Sequence, residues 1–301
     1  MYSTRFIRCL VPLLLAWLLS VPNAHATSAV ADRVAVDRPL SAATAEPAAS
    51  AGNGPAIAQA DTRAAQARIL FVLSSRKFHG ASTLPASISF GEVVHAWDKF
   101  HAAGYAVDFV SPDGGDLPML DAYIGKEVAD RLRDPRIMRG LRNTAAPSQI
   151  DPARYRAVYY VGGSNAIYGV PEDPALQRIA MHVYERNGGV VSAVCHGTAG
   201  LVNLKLADGR YLIAGKRITG YPEEYEDLSA AYFREFPFLI GRTAESRGAT
   251  FLVQDRDQSH IQVDGRLVTG QNYPSAGKVA EAVIELLRQL DGRQRNGAAN
   301  G

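Results

Sequence analysis

The chain has 301 residues, of which 47% are hydrophobic and 21% charged, the balance of a globular protein with enough apolar residues for a large core. The formal net charge is +2 at pH 7, which gives no reason to expect a nucleic-acid partner. Composition and charge therefore argue against a disordered or nucleic-acid-binding protein and leave the motifs to indicate the function.

The first residues have the pattern of a secretory signal peptide. Arg5 and Arg8 form a basic start, residues 10–19 form an apolar run, and Ala24-His25-Ala26 is an A-x-A cleavage site. The apolar run is too short for a membrane-spanning helix. We therefore predict that residues 1–26 are removed, that the protein is secreted or periplasmic, and that no stable membrane anchor remains.

Cysteine usage favours a functional thiol. The chain has two cysteines, and Cys9 lies within the predicted signal peptide. The mature chain would keep only Cys195, which excludes an intramolecular disulfide. A lone thiol is at risk in an oxidising compartment, so its presence there is easier to explain if it has a function.

The remaining chain divides into three parts. Residues 27–66 are rich in Ala and without sustained periodicity, which predicts a disordered leader. Residues 67–291 carry the alternating hydrophobic patterns of a folded domain, and residues 292–301 are expected to form a flexible tail. No internal repeat is apparent.

Within the domain, strand and helix patterns alternate. Apolar runs with small or polar ends predict strands, and apolar residues at helical spacing predict helices. The predicted strands are residues 67–74, 105–110, 157–161, 190–194, 211–220 (two short strands), 250–253, 260–264 and 267–270. The predicted helices are residues 90–104, part of 122–142, 173–187, a stretch from Leu201, part of 221–233, 238–247 and 276–290. This order predicts an α/β protein with a doubly wound, mostly parallel sheet and helices on both faces.

Cys195 lies where a buried strand turns into a helical stretch. The strand Val190-Val191-Ser192-Ala193-Val194 ends at the thiol, and Gly197 and Gly200 allow the following segment to pack closely. This is the pattern of a nucleophile elbow, in which a sharp strand-to-helix turn exposes the reactive atom above the sheet. The positive end of a helix also favours the thiolate.

Other candidate residues lie at the carboxyl ends of neighbouring strands, where function is located in such sheets. His196 follows the thiol, Glu92 opens the first helix, and Gly162-Gly163 follows the third major strand. The backbone N–H groups of Gly163 and His196 could hold a developing oxyanion.

Together these residues resemble the DJ-1/PfpI superfamily, which has a class I glutamine amidotransferase-like, flavodoxin-like fold. The resemblance covers residues 67–290 and is greatest to the Hsp31-like branch of glutathione-independent glyoxalases (glyoxalase III), deglycases and chaperones. It is carried by Glu92-Val93-Val94-His95-Ala96-Trp97, Gly162-Gly163 before Pro171-Glu172-Asp173, Ala193-Val194-Cys195-His196-Gly197, Ile218-Thr219-Gly220-Tyr221 and Val268-Thr269-Gly270-Gln271-Asn272-Tyr273-Pro274-Ser275.

The resemblance implies roles for four side chains. Cys195 would be the nucleophile, Glu92 the acid beside the thiol, and His196 the proton relay. The acid that orients His196 would be Glu226, with Glu223 as the alternative. The implied activity is conversion of methylglyoxal to lactate without glutathione, metal or other cofactor, by a protein that forms a homodimer and takes a small aldehyde as its substrate.

The sequence departs from the family pattern at two places. The usual Gly-Gly-His-Gly is Gly162-Gly163-Ser164-Asn165 here, so one imidazole near the pocket is missing. Ala96 replaces the proline that follows His95.

Two other functions stay open. The same Cys-His-Glu site could hydrolyse small amides or peptides, and a protein without turnover could be a periplasmic holdase chaperone or thiol stress sensor. A glutamine amidotransferase would need a distant His-x-Glu, but His260 is followed by Ile261-Gln262.

The remaining histidines and a group of aromatic residues are expected to be structural. No cluster of ligands has convincing metal spacing, and His79, His95 and His101 are expected in loops and on helix surfaces. The aromatic residues expected to form a small cap over the site are Tyr221, Tyr225, Tyr232 and Phe233.

Overall fold

The computed structural model describes residues 67–299, so the predicted signal peptide and leader lie outside the described residues. The strands are β1 (Arg68–Val72), β2 (Ala106–Val110), β3 (Tyr155–Tyr160), β4 (Val190–Val194), β5 (Arg217–Ile218), β6 (Thr250–Phe251), β7 (Ile261–Asp264) and β8 (Leu267–Gly270). Six of them form one sheet in the order β2-β1-β3-β4-β8-β7, in which only the β7–β8 pair is antiparallel. β5 and β6 form a separate parallel pair.

Helices cover both faces of the six-stranded sheet. They are α1 (Phe90–Ala102), α2 (Pro135–Arg142), α3 (Pro174–Met181, continued by a π-helical turn over His182–Arg186), α4 (Ile240–Ser246) and α5 (Ala276–Ala299). Successive residues of β1 enter two different cores, as expected for a strand buried on both sides. Ile69 and Phe71 pack with α1 and α5, and Leu70 and Val72 pack with α3. The predicted fold class is confirmed.

The register of the central strands places three loops at the same level. Tyr160 of β3 pairs with Ala193 of β4, and Val194 pairs with Gly270 of β8. The residues that follow these strands, Val161, Cys195 and Gln271, therefore leave the sheet side by side. The loops that follow β3, β4 and β8 can therefore contribute residues to one site.

Several predicted elements differ from the observed ones. The predicted strand pair over residues 211–220 is reduced to β5, and the helix predicted in residues 221–233 is replaced by short 3₁₀ helices at Glu223–Tyr225 and Ala231–Glu235. Residues 122–142 contain 3₁₀ segments and only one α-helix, α2. In these segments tertiary packing overrides local propensity.

The carboxyl-terminal helix is longer than predicted. Helix α5 continues through Ala299, into residues 292–301, for which a flexible tail was predicted. The added turns contain Arg and Gln, which favour a helix, and also glycine and asparagine, which disfavour it, so local propensity alone does not explain the extension. None of the helices between residues 67 and 299 combines the length and apolar character that a bilayer span requires.

Candidate active site

The thiol lies on a sharply turned backbone. Among residues 67–299, Cys195 is the one residue other than glycine with a positive φ, 55°. It follows the extended residue Val194 and opens a buried 3₁₀ helix, Cys195–Leu201. Tyr221 N–H donates to the Cys195 carbonyl over 3.2 Å. A left-handed conformation at a residue with a side chain typically costs ~1–3 kcal/mol and is maintained by its surroundings, as expected at a nucleophile elbow.

Gly162 makes the contact between the thiol and Glu92 possible. A Cβ at this position would lie 2.6 Å from Glu92 Oε2 and 2.9 Å from Cys195 Cβ. The position therefore has room only for hydrogen. The Gly162 N–H also donates to Glu92 Oε2 over 2.9 Å, so the loop after β3 both admits and orients the carboxyl group.

Glu92 is a buried acid in the first turn of α1. Ser89-Phe90-Gly91-Glu92 has the S-x-x-E pattern of a capping box, in which the acid would accept from the N-cap amide. Instead Ser89 N–H donates to the Gly162 carbonyl, and the Ser89 hydroxyl and the Cys195 thiol lie beside the Glu92 carboxyl, where they favour its ionised form. Burial raises the pKa of Glu92 to about 8, so this carboxyl keeps its proton at neutral pH.

Burial also dominates the titration of the thiol. It raises the pKa of Cys195 well above its ordinary value, and negative charge on Glu92 and Glu226 acts in the same direction. The backbone N–H of His196 lies beside the sulfur and acts on the pKa in the opposite direction. Because Glu92 is protonated at neutral pH, its repulsion of a thiolate is absent there. At neutral pH both groups therefore keep their protons, and ionisation of either one disfavours ionisation of the other.

His196 connects the thiol to the second acid. Its Nδ1 lies 3.5 Å from Cys195 Sγ, and its Nε2 lies 2.6 Å from Glu226 Oε1. The Tyr232 hydroxyl donates to the other Glu226 oxygen over 3.3 Å. The Tyr221 ring stacks on the imidazole with centroids 4.5 Å apart. The arrangement can hold the imidazole with Nε2–H toward the acid and Nδ1 toward sulfur, which suits proton transfer from the thiol.

The alternative acid, Glu223, lies elsewhere. Arg242 Nε donates to Glu223 Oε1 over 2.6 Å, so this carboxylate takes part in a surface ion pair. The geometry brings together Cys195, His196, Glu92 and Glu226 and leaves Glu223 outside the cavity wall.

A cavity of about 260 Å³ opens above the sulfur. All five predicted site residues, including Gly163, contribute to its lining. The lining residues are Ser89, Glu92, Ala122, Tyr123, Gly125, Gly163, Ser164, Cys195, His196, Tyr221, Glu226, Tyr232, Phe236 and Tyr273. Gly163 and His196, whose N–H groups were predicted to hold an oxyanion, both line this cavity.

Sequence reasoning missed several of these lining residues. Tyr123 comes from residues 122–142, which were predicted only to be partly helical, and Ser89 lies just before the predicted helix 90–104. Phe236 lies just beyond the predicted cap, whereas Tyr225 and Phe233 of that cap do not line the cavity. Tyr273 belongs to the stretch 268–275 that resembles the family, but nothing in its spacing indicated a position in the cavity wall.

The departure from the family pattern has a structural outcome. The Ser164 hydroxyl accepts the Ser87 N–H over 3.1 Å, and Ser164 lines the cavity together with Tyr123. Asn165 is buried and donates to the carbonyls of Ser74 and Arg76, each over 3.0 Å. A neutral hydroxyl therefore lines the position after Gly163.

The other histidines have mixed positions. His79 lies in the predicted loop but is buried, not on the surface, because the rings of Tyr168, Tyr232 and Phe236 surround it. His95 Nε2 lies 3.2 Å from the Tyr273 hydroxyl, and His101 stacks on Trp97. Within residues 67–299 no group of three or more His, Cys, Asp or Glu side chains is arranged to hold a metal ion.

Fold and site together define a doubly wound α/β protein with a cysteine at the nucleophile elbow. The sequence profile of the DJ-1/PfpI family matches residues 87–286, and the chain belongs to that family. Glyoxalase 3 of Candida albicans is 34% identical over 205 residues, which cover 64% of this chain and 86% of that protein. The glutathione-independent glyoxalase hsp3102 of Schizosaccharomyces pombe is 30% identical over 215 residues, or 66% of this chain and 88% of that protein.

A solved structure agrees with these relatives. The crystal structure of glyoxalase III from Candida albicans superposes with a TM-score of 0.66 at 31% identity. The match covers 73% of this chain and 97% of that one. The family expected from the motifs is confirmed.

Proposed function

We propose that this protein is a glutathione-independent glyoxalase that converts methylglyoxal to lactate, a lyase of the glyoxalase III type. The observation that carries the proposal is Cys195 at the floor of a cavity, between a protonated Glu92 and the His196–Glu226 pair. The relatives named as glyoxalases support the same substrate class.

The first step is addition of the Cys195 thiol to the aldehyde carbon of methylglyoxal. A carbon–sulfur bond forms, the carbonyl π bond breaks, and the thiol proton is transferred to the aldehyde oxygen, which gives a hemithioacetal. His196 accepts the proton at Nδ1, which faces the sulfur, while Glu226 holds Nε2. The N–H groups of Gly163 and His196 stabilise the oxygen as negative charge develops on it.

The second step moves a proton between the two carbons. Removal of the C1 proton gives an enediol, and return of the proton to C2 leaves a lactyl thioester on Cys195. Glu92 and His196 are the groups beside the sulfur that can carry out this transfer, work that typically contributes ~10²–10⁴-fold. Water then hydrolyses the thioester, so that the carbon–sulfur bond breaks, the sulfur regains its proton and lactate leaves. Cys195 supplies the thiol, which explains why glutathione is not needed.

We further propose that this reaction takes place outside the cytoplasm and in a homodimer. The basic start, apolar run and A-x-A site of residues 1–26 support secretion or a periplasmic location. The family resemblance supports the dimer. Fractionation of cells that express the whole chain, and light scattering of the purified mature protein, test the two statements separately.

The test of the activity is direct. Mature protein incubated with methylglyoxal, without glutathione, should form lactate. Cys195→Ser should lower kcat/KM by at least ~10³-fold, because removal of a nucleophile abolishes the covalent route. Unchanged thermal unfolding of the variant controls for misfolding. A rate that survives the substitution, or turnover of small amides in place of methylglyoxal, contradicts the proposal.

A further inference from the structure

The walls of the cavity above Cys195 are aromatic. Five of the 14 lining residues carry a benzene or phenol ring: Tyr123, Tyr221, Tyr232, Phe236 and Tyr273. The cavity of about 260 Å³ is several times the ~30 Å³ that one water occupies in the liquid, so it has space for more than a methyl substituent. Aromatic walls of this kind attract flat, apolar groups.

The same walls offer no cation to a bound anion. None of the described residues that line the cavity is a lysine or an arginine, and two of them, Glu92 and Glu226, are acids. Arg256 approaches from outside, where it donates from Nη2 to the Tyr221 hydroxyl over 3.2 Å on the exposed surface. A carboxylate or phosphate inside the cavity would lose its hydration without gaining an opposite charge.

Apart from the two acids and His196, the polar side chains that line the cavity are neutral hydroxyls and the Cys195 thiol. The hydroxyls of Tyr123 and Ser164 both border the cavity with the thiol, and burial keeps the tyrosine protonated by raising its pKa. Neutral hydroxyls suit a carbonyl oxygen, which is an uncharged acceptor.

We propose that this site selects neutral 2-oxoaldehydes with an apolar or aromatic substituent and rejects carbonyl compounds that carry a carboxylate or phosphate beside the reacting carbon. The inference rests on the proposed glyoxalase function and narrows its substrate class. Phe236, on the cap side of the cavity, is the residue that should contact the substituent.

Two matched comparisons test the selection. For substrates, kcat/KM for phenylglyoxal should exceed that for methylglyoxal by about tenfold, because the ring gains contacts with the aromatic wall. For charge, methyl glyoxylate and glyoxylate both present an aldehyde and differ by one negative charge. The ester should protect Cys195 from alkylation by iodoacetamide at concentrations at least about 30-fold lower than the acid.

A pair of variants assigns the preference to the wall. Phe236→Leu should lower the ratio of kcat/KM values for phenylglyoxal and methylglyoxal by about threefold or more. Phe233→Leu is the control, since Phe233 packs against Phe236 with ring centroids 5.3 Å apart but does not line the cavity. It should leave the ratio within about twofold.

The outcomes separate the two proposals. If methylglyoxal is converted but phenylglyoxal is not preferred, or glyoxylate protects the thiol as well as its ester does, the selection is wrong and the glyoxalase function stands. If no 2-oxoaldehyde is converted, the function is wrong. The protection assay still measures the charge selection in that case, because alkylation of Cys195 needs no turnover.

Discussion

The floor and the cap of the cavity are built differently. The floor consists of Cys195 after β4, Gly162 after β3 and Glu92 in the first turn of α1. The parallel pairing of β3 and β4 and the hydrogen bond from Gly162 to Glu92 hold these residues in place. The cap, residues 221–236, is formed by two short 3₁₀ helices whose tyrosines and phenylalanines are partly exposed. The floor therefore determines which protons can move. The cap orients His196 through Glu226 and shapes the space that a substrate enters.

The largest effect is expected from removing the proton-exchanging group of the floor. Glu92→Gln keeps the shape of the side chain but removes a group that can gain and lose a proton beside the sulfur. We expect kcat/KM for methylglyoxal to fall by ~10²–10⁴-fold. Steady-state kinetics, with alkylation of Cys195 as a control for access to the thiol, measures this effect. Retention of more than a tenth of the activity would show that the floor acid does not take part.

The same substitution should change how stability depends on pH. Burial raises the pKa of Glu92 to about 8, above its ordinary value of 4.5. Between these values the folded protein keeps a proton that the unfolded chain has lost, so stability falls as pH rises through this range. The loss should approach ~3–5 kcal/mol above pH 8, since each pKa unit corresponds to 1.36 kcal/mol.

Thermal unfolding from pH 5 to pH 9 measures that loss. Relative to Glu92→Gln, the wild-type protein should lose several degrees of Tm as pH rises, by ~2–4 °C for each kcal/mol. Glu281→Gln is the matched control, because Glu281 lies exposed on α5, where it forms an ion pair with Lys99 of α1. Its unfolding curves should follow those of the wild type, and a constant difference for Glu92→Gln would contradict the raised pKa.

A smaller effect is expected from the cap acid. Glu226→Gln should lower kcat/KM by about 10–100-fold, less than the ~10⁴-fold that loss of the equivalent acid costs a serine nucleophile. The reason is that a thiol ionises more readily than a hydroxyl and depends less on its base. Glu223→Gln, on the same 3₁₀ segment but paired with Arg242, should change the rate by less than about twofold.

The smallest effect is expected one contact further out. Tyr232→Phe removes the 3.3 Å hydrogen bond to Glu226 but keeps the ring in the cavity wall. A net hydrogen bond of about 1 kcal/mol corresponds to a loss of about fivefold. A loss as large as that of Glu226→Gln would mean that the cap positions His196 more strictly than its partly exposed surface indicates.

The same contrast explains what could be predicted from the sequence. Strands β1, β3, β4 and β8 were predicted within a few residues because strands buried on both faces leave continuous apolar runs. The cap was not, because its conformation depends on tertiary contacts such as the one between Glu226 and His196 rather than on local preference. Cys195 and His196 were found from the elbow pattern, and Glu226 from the family spacing. Tyr123 escaped because a lone tyrosine in a charged segment carries no periodic signal.

Gly162 offers a way to inactivate the site without changing either reacting group. A single methyl group there would meet both the Glu92 oxygen and the Cys195 β-carbon, at 2.6 and 2.9 Å, and would push the two apart. Gly162→Ala would therefore make a useful decoy, that is, an inactive control protein. Its thiol, acid and imidazole would all be present, but the thiol and the acid would no longer be correctly placed relative to each other. Comparison of such a decoy with the intact protein in living cells would distinguish effects of catalysis from effects of the mere presence of the folded chain.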